Sequence, residues 1–302
     1  MTTITNSGKT SWFKKQKNRN YLVAFLFVLP ALINFTVFRY YPMIWAFRAS
    51  FWDYSLLQGF KKMVGFDNYV RAFTADPIFL QSLKTTFIYA IFYVGIIVVL
   101  ALALAVFANQ KKPGVGAIRA FIFIPVVTSF IVVSIVWGML LNPDLGIVNG
   151  LLQTLGLNRL MFLTSKTQAL PTLIAISVWK DVGYSVIILV AGLKGVPEML
   201  HEAAIVDGAN AWQRFWSVTL PSIKRQLMFV VVWATMGAFQ VFIPVYSLTQ
   251  GGPSRSTNVV VYYIYKEAFV FGEMGYASAL SIILLFILLA VSIFQMRILR
   301  SD

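Results

Sequence analysis

Six runs of about twenty mostly apolar residues divide this 302-residue chain: Tyr21–Tyr41, Thr86–Ala108, Ala120–Leu141, Leu170–Leu193, Leu227–Leu248 and Gly275–Phe294. A helix needs about 20 apolar residues to cross the hydrocarbon of a bilayer, so each run is long enough to span. The ten-residue alternating strands of an outer-membrane barrel are absent. The expected fold is therefore an all-α integral membrane bundle of six helices. Composition agrees where it bears on the class: 12% of residues are charged, about half the share of a soluble domain. The net charge of +14 is not gathered on one face, so nucleic acid is not an expected partner.

Orientation follows from Lys and Arg in the connections. Lys9, Lys14, Lys15, Lys17 and Arg19 precede the first run, and Lys111, Lys112 and Arg119 lie between the second and third. Lys194, Arg214, Lys224 and Arg225 lie between the fourth and fifth, and Arg297 and Arg300 follow the sixth. These fourteen face ten spread over three longer connections. Both termini and the fourth-to-fifth connection are expected in the cytoplasm of a multi-pass cell-membrane protein. The expected boundaries are a basic tail at 1–20, a membrane domain at 21–297 containing a cytoplasmic loop at 195–225, and a short tail at 298–302. The first run has no A-x-A cleavage pattern after it and is expected to be retained.

Chemistry is sparse. There is no cysteine and one histidine, His201, which argues against a metal site, thiol chemistry and an embedded enzyme. No catalytic residue is expected. No G-x-x-x-x-G-K-[ST] occurs, so nucleotide is not bound here by a P-loop.

The fourth-to-fifth connection, EAAIVDGANAWQRFWSVTLP at 202–221, is the most ordered polar segment. Pro197 suits the first turn of a helix that stops near Gly208. Leu200, Ala203, Ala204 and Asp207 share one face of it, and the two alanines flatten that face. Asn210 can cap a second helix, on which Trp212, Phe215 and Trp216 form a stripe; Pro221 is expected to end it. A pair of interfacial helices lying on headgroups would also explain the tryptophans. Glu202 and Asp207 count against that, because anionic headgroups repel acids.

The segment resembles the EAA loop of binding-protein-dependent ABC importer permeases, E-A-A-x-x-D-G-A, then Phe, then L-P. Here the pattern stands complete as Glu202-Ala203-Ala204, Asp207-Gly208-Ala209, Phe215 and Leu220-Pro221. WKDVGYSVIILVAGLKGVPEML, SLTQGGPSRSTNVVVYYIYKEAF with GYASALS, and FLFVLPALINFTVFRYYPMIWAFRASFWDYSL with GFDNYVRAF are similar to the carbohydrate-uptake, maltose-type branch. The front half is nearer the maltose F-type and glycerol-phosphate A-type subunits, without the maltose subunit's extra leading spans and large external insert.

The resemblance implies a type I importer permease bundle paired with a second, G-type permease. It also implies a cytoplasmic P-loop ATPase dimer that holds the ATP, and an extracytoplasmic solute-binding protein. The EAA loop would couple to the ATPase. The implied substrate is a di- or oligosaccharide, an α-galactoside such as melibiose or raffinose, with glycerol phosphate as the alternative. An ion-coupled secondary transporter fits less well, since no inverted repeat shows.

A charge at the bilayer centre costs about 2.5–3.5 kcal/mol, so Lys180 and Asp181, midway along the fourth run, must face other helices or a wet cavity. As adjacent residues they are not expected to face each other, and each needs its own partner. Trp179, Tyr184, Gln240, Tyr246, Ser278 and Ser281 complete the candidates for a sugar path. Packing between helices explains such groups more often than substrate contact does. Pro30 and Asn34 suggest a kink in the first span.

Overall fold

The computed structural model describes residues 7–110 and 112–299. The tail residues 1–6 and 300–302, with Arg300, and Lys111 lie outside the described residues. Among the described residues, the regular elements are helices except for one hairpin.

Helix α1 (Ser7–Phe35) passes through a π-turn at Thr36–Tyr40 into α2 (Tyr41–Ala49). The expected basic tail is thus helical from Ser7 on. Pro30 lies within α1, and the irregularity comes at the π-turn beyond it. The connection from α2 to the next long helix holds the hairpin β1 (Trp52–Ser55) and β2 (Gly59–Met63) and helix α3 (Asp67–Thr74). Helix α4 (Pro77–Ala108) is followed by α5 (Val115–Val127), α6 (Phe130–Leu140), α7 (Ile147–Thr154) and α8 (Ala169–Lys194). The loop helices are α9 (Glu198–Val206), α10 (Ala211–Arg214) and the single turn α11 (Leu220–Ser222). Helices α12 (Lys224–Phe239), α13 (Val260–Tyr265) and α14 (Met274–Leu299) complete the chain.

Four helical segments among the described residues are long and apolar enough to cross a bilayer unaided: Arg19–Ala49, Pro77–Ala108, Ala169–Lys194 and Met274–Ile298. Two of the six expected spans are not straight helices. The third, Ala120–Leu141, is the pair α5 and α6, bent by 101°. Thr128 (φ −79°, ψ 140°) and Ser129 (φ −59°, ψ 132°) are extended there and turn the chain. The fifth, Leu227–Leu248, is broken at Gln240. Its 16-residue helix α12 is about 24 Å long at 1.5 Å per residue, short of a hydrocarbon core of about 30 Å. Neither break interrupts the hydropathy, because an apolar residue is as apolar in extended backbone as in a helix.

The centre is α4 against α8, with α5 on one side and α12 on the other. Ala90, Ala101, Ala105 and Ala108 of α4 are buried, and small residues let helices approach closely where lipid offers no hydrophobic contrast. Tyr89, Ile97, Leu173 and Leu189 fill the seam. Polar bonds tie more distant elements: Gln295 Nε2 donates to Thr235 Oγ1 at 2.8 Å, and Asn258 Nδ2 to Ser82 Oγ at 2.7 Å. The apolar window of the first segment has no buried residue.

Gly183 of α8 lies against α5. A Cβ there would collide with the Ile122 carbonyl oxygen and stand 2.8 Å from Val126 Cγ2. Gly183→Val is expected to push α5 off α8 and cost about 1–3 kcal/mol, read as a lowered unfolding midpoint of the detergent-solubilised chain. An unchanged midpoint would mean that α5 is not held there.

Candidate coupling loop and translocation path

The loop is built by local rules. Pro197 is the residue before α9 and not its first turn, with φ −60° and ψ 130°. Helix α9 closes at Asp207 and Gly208. Gly208 N–H donates to Ile205 O at 3.0 Å and Ala209 N–H to Ala204 O at 2.9 Å, the paired bonds of a Schellman close. Gly208 takes φ +77°, a left-handed value costly for residues with a Cβ. The D-G-A triplet is therefore the stop that lets the chain turn.

Asn210 then caps α10. Its Oδ1 accepts from Gln213 N–H at 2.9 Å, and Gln213 Oε1 accepts from Asn210 N–H at 2.8 Å, a reciprocal capping box. Arg214 Nη1 donates to the Ala209 carbonyl at 3.2 Å, tying the second helix to the end of the first. The helix continues through a π-turn, Phe215–Thr219, into α11. Pro221 does not end it: proline sits in the first turn of α11, and the break falls after it at Ile223, which is fully buried. A proline in a first turn removes no needed N–H.

Glu202, Ala203, Asp207 and Gly208 are exposed, Ala204 and Ala209 half-buried. Phe215 and Leu220 are half-buried and Pro221 exposed. Phe215 stacks on Trp212 with ring centroids 6.0 Å apart. Leu200, Ile205 and Val206 on α9, Trp212 on α10 and Trp216 on the π-turn after it stand exposed, Val206 at 87%. Such a concentration of bared apolar side chains on a rigid pair marks a surface made to be covered.

The path candidates separate into two groups. Asp181, Tyr184 and Gln240 come together on one cavity of about 440 Å³ between α4, α8 and α12, with Tyr93 and Trp233. Asp181 Oδ2 accepts from Tyr93 Oη at 2.9 Å, and the Tyr184 and Trp233 rings lie 5.4 Å apart. The broken fifth span puts Gln240, the end of α12, at this cavity. Trp179, Tyr246, Ser278 and Ser281 do not reach it. Trp179 packs edge-on to Trp137 at 5.5 Å, and Tyr246 belongs to a cluster with Phe242, Tyr262 and Tyr265. Ser281 Oγ donates to the Ala277 carbonyl of its own helix at 2.9 Å, and Ser278 is half-buried.

Lys180 and Asp181 each have their own partner, as expected, but they also meet. Lys180 Nζ lies 3.6 Å from Asp181 Oδ1. Lysine is long enough to fold back along the helix, which counting positions on a helical wheel does not show. The ammonium is buried, 3.3 Å from the Val126 carbonyl oxygen and 5.6 Å from the Phe130 ring. Val126 is in the last turn of α5, whose carbonyls have no helical partner beyond the bend. A cation there also favours the negative end of the helix dipole. The Lys180 charge is thus explained by the break in the third span, whereas Asp181 faces the cavity.

Sequence reading missed Tyr93, Trp233 and Asp76. Tyr93 and Trp233 carry no signal among so many aromatic residues; only the need of an intramembrane carboxylate for a donor hinted at a partner. Asp76-Pro77 is a legible helix start, and Asp76 Oδ1 does cap α4 through Ile78 and Phe79 N–H at 2.9 Å each. Its second role was not legible: Oδ2 accepts from Tyr263 Oη and Tyr276 Oη, both at 2.6 Å.

A helical bundle with broken spans, an inner cavity and one ordered loop with bared apolar side chains defines a multi-pass transport subunit of the membrane. Residues 79–301 match the family described as "Binding-protein-dependent transport system inner membrane component", and the chain belongs to that family. It is 35% identical to the "Probable ABC transporter permease protein YurN" of Bacillus subtilis, over 94% of this chain and 98% of that one. It is 31% identical to the "sn-glycerol-3-phosphate transport system permease protein UgpA" of Agrobacterium fabrum, over 92% and 94%. In fold it is similar to a chain of a bacterial alginate ABC transporter solved with an alginate pentasaccharide-bound periplasmic protein: TM-score 0.83, 26% identity, covering 95% of this chain and 98% of that one.

Proposed function

We propose that the chain is one of two permease subunits of an ATP-driven importer for a di- or oligosaccharide. Its partners are a G-type permease, a cytoplasmic P-loop ATPase dimer that binds the ATP, and an extracytoplasmic solute-binding protein. It does no covalent chemistry itself. Both termini and the 195–225 loop face the cytoplasm. The α9–α10 pair seats on the ATPase and carries its closure into the membrane domain, 21–297. The observation that carries this reading is the concentration of bared apolar side chains on that pair, held by a Schellman close and a capping box between two membrane segments.

The cavity supports the sugar class. Sugar rings present C–H faces and hydroxyls, and Tyr184 and Trp233 offer aromatic faces beside the acceptor Asp181 and the amide of Gln240. An α-galactoside such as melibiose or raffinose is the substrate we favour. The UgpA relative keeps glycerol phosphate as the second reading, and the carboxylate facing the cavity favours the neutral sugar. Uptake by cells expressing the whole importer tests both. Raffinose uptake is expected, together with a fall of about tenfold or more in Asp181→Ala, the loss of one charge-assisted hydrogen bond. Uptake of glycerol 3-phosphate in preference to raffinose and melibiose would overturn the sugar assignment.

A further inference from the structure

A second cavity, of about 440 Å³, runs along the outside of the bundle between α5 and α8. Its α8 wall is one helical face: Gly183, then Val186 and Ile187, then Val190 and Ala191, then Lys194. Its α5 wall is Ile122 and Phe123, with Ala120 and Arg119 toward the start of that helix. Val126 meets Lys180, and Ile122 and Val126 meet Gly183. The two helices therefore run antiparallel, and Arg119 falls at the same end as Lys194. The groove is apolar along its length and has both its cations at one end.

Two dimensions say what fits. From Gly183 to Lys194 the helix rises about 16 Å at 1.5 Å per residue, close to half of a hydrocarbon core of about 30 Å. The closed end lies at the Gly183 contact, where the two backbones touch. The charged end coincides with the C-terminus of α8, where the chain leaves the membrane segment for the α9–α10 loop. Arg119 is fixed there: its Nε donates to the Ala108 carbonyl at 2.8 Å, and Nη2 donates to the same oxygen. Lys194 is exposed. An apolar slot one leaflet deep, with two cations at headgroup level, is complementary to an acyl chain with an anionic headgroup. We propose that this groove is a binding site for one anionic phospholipid of the leaflet on the coupling-loop side, with Arg119 and Lys194 holding the phosphate and the α5–α8 seam holding a chain.

The site follows from the groove and its charges, and it stands whichever solute the protein carries. The full-length chain is reconstituted into nanodiscs of equal phosphatidylglycerol and phosphatidylcholine, extracted and washed in mild detergent, and the retained lipid is identified by native mass spectrometry. Wild type is expected to retain phosphatidylglycerol over phosphatidylcholine by about tenfold or more, and Lys194→Gln to cut that preference about fivefold. Arg119→Gln loses the Ala108 bonds as well, so Lys194→Gln is the decisive charge variant. Ala191→Phe, which fills the groove and leaves both cations, is expected to lose both lipids. Equal retention of the two lipids by wild type overturns the proposal, and so does phosphatidylglycerol retained unchanged in Ala191→Phe. Loss of the lipid when the chain is assembled with its second permease would assign the groove to that subunit instead and overturn it too.

Discussion

Glu202→Lys is expected to lower ATP-driven uptake about a hundredfold while the chain reaches the membrane in normal amount. Glu202 is exposed on α9 and makes no side-chain hydrogen bond or ion pair among the described residues, so charge reversal there should not unfold the protein. It should matter only if a partner sits on the helix, where placing like charges together costs several kcal/mol. About 2.8 kcal/mol is already a hundredfold. Gly208 gives a test of shape in place of charge. A Cβ at Gly208 meets nothing within 4 Å, so crowding is not an issue, but φ +77° strains a β-branched residue by about 1–2 kcal/mol. Gly208→Val should unseat the end of α9 and impair uptake, whereas Gly208→Asn, which tolerates this backbone, should retain most of it. The measurement is uptake against membrane abundance, with capture of the ATPase by the tagged chain. Normal uptake in Glu202→Lys and Gly208→Val alike would remove the docking role from the loop.

Asp76→Ala is expected to destabilise the chain by about 3–5 kcal/mol, more than any exposed ion pair could. One carboxylate holds three elements. Its Oδ1 caps α4, and its Oδ2 takes the hydroxyls of Tyr263 on α13 and Tyr276 on α14. Truncation leaves both buried hydroxyls without their acceptor and α4 without its cap. Asp76→Asn keeps the capping oxygen for the Ile78 and Phe79 amides and turns an NH2 donor toward the two tyrosine oxygens, so it should cost less than Asp76→Ala. The neighbouring Arg71–Glu273 pair spans α3 and the start of α14, with Arg71 also 4.0 Å over the Tyr276 ring centroid. Both side chains are 45% exposed, so solvent screens the pair and its loss should cost about 1 kcal/mol or less.

Burial alone would raise the Asp76 carboxyl. The two tyrosine hydroxyls and the Phe79 and Ile78 amides outweigh it and hold the group below its ordinary 3.8. A carboxyl lowered on folding stabilises fully above its unfolded value and loses that contribution only as the pH falls through the folded one. The clasp should therefore persist at pH 4. Unfolding midpoints in detergent across this series check both claims; Asp76→Ala within about 1 kcal/mol of wild type would mean that the clasp does not hold α4, α13 and α14 together.

The parts legible in the sequence obey short-range rules. Apolar length marked the membrane segments. The stop and the cap of the 195–225 loop were readable because Gly208 and Asn210 act on backbone groups within five residues; the returning bond from Asn210 N–H to Gln213 was not read. The family pattern covers the same positions, and the structure supplies a local reason for two of them: Gly208 for the left-handed turn and Ala209 for the returning hydrogen bond to Ala204.

Only the tertiary structure decided the rest. The 101° bend at Thr128–Ser129 is a change in two backbone dihedrals, to which hydropathy is blind. The bend created the unpaired Val126 carbonyl, and with it the need for Lys180. Tyr93 with Asp181 is a pair 88 residues apart, and Asp76 reaches Tyr263 and Tyr276 across 187 and 200 residues. No periodicity encodes such pairs, since any of 13 tyrosines could supply the hydroxyl. Which one does depends on how α4, α8, α13 and α14 pack. By itself the sequence determined that this is a membrane bundle with one ordered polar loop between two apolar runs, because those signals lie within a helix turn or a bilayer's width. Packing between helices decided where its charges rest and where its cavities open.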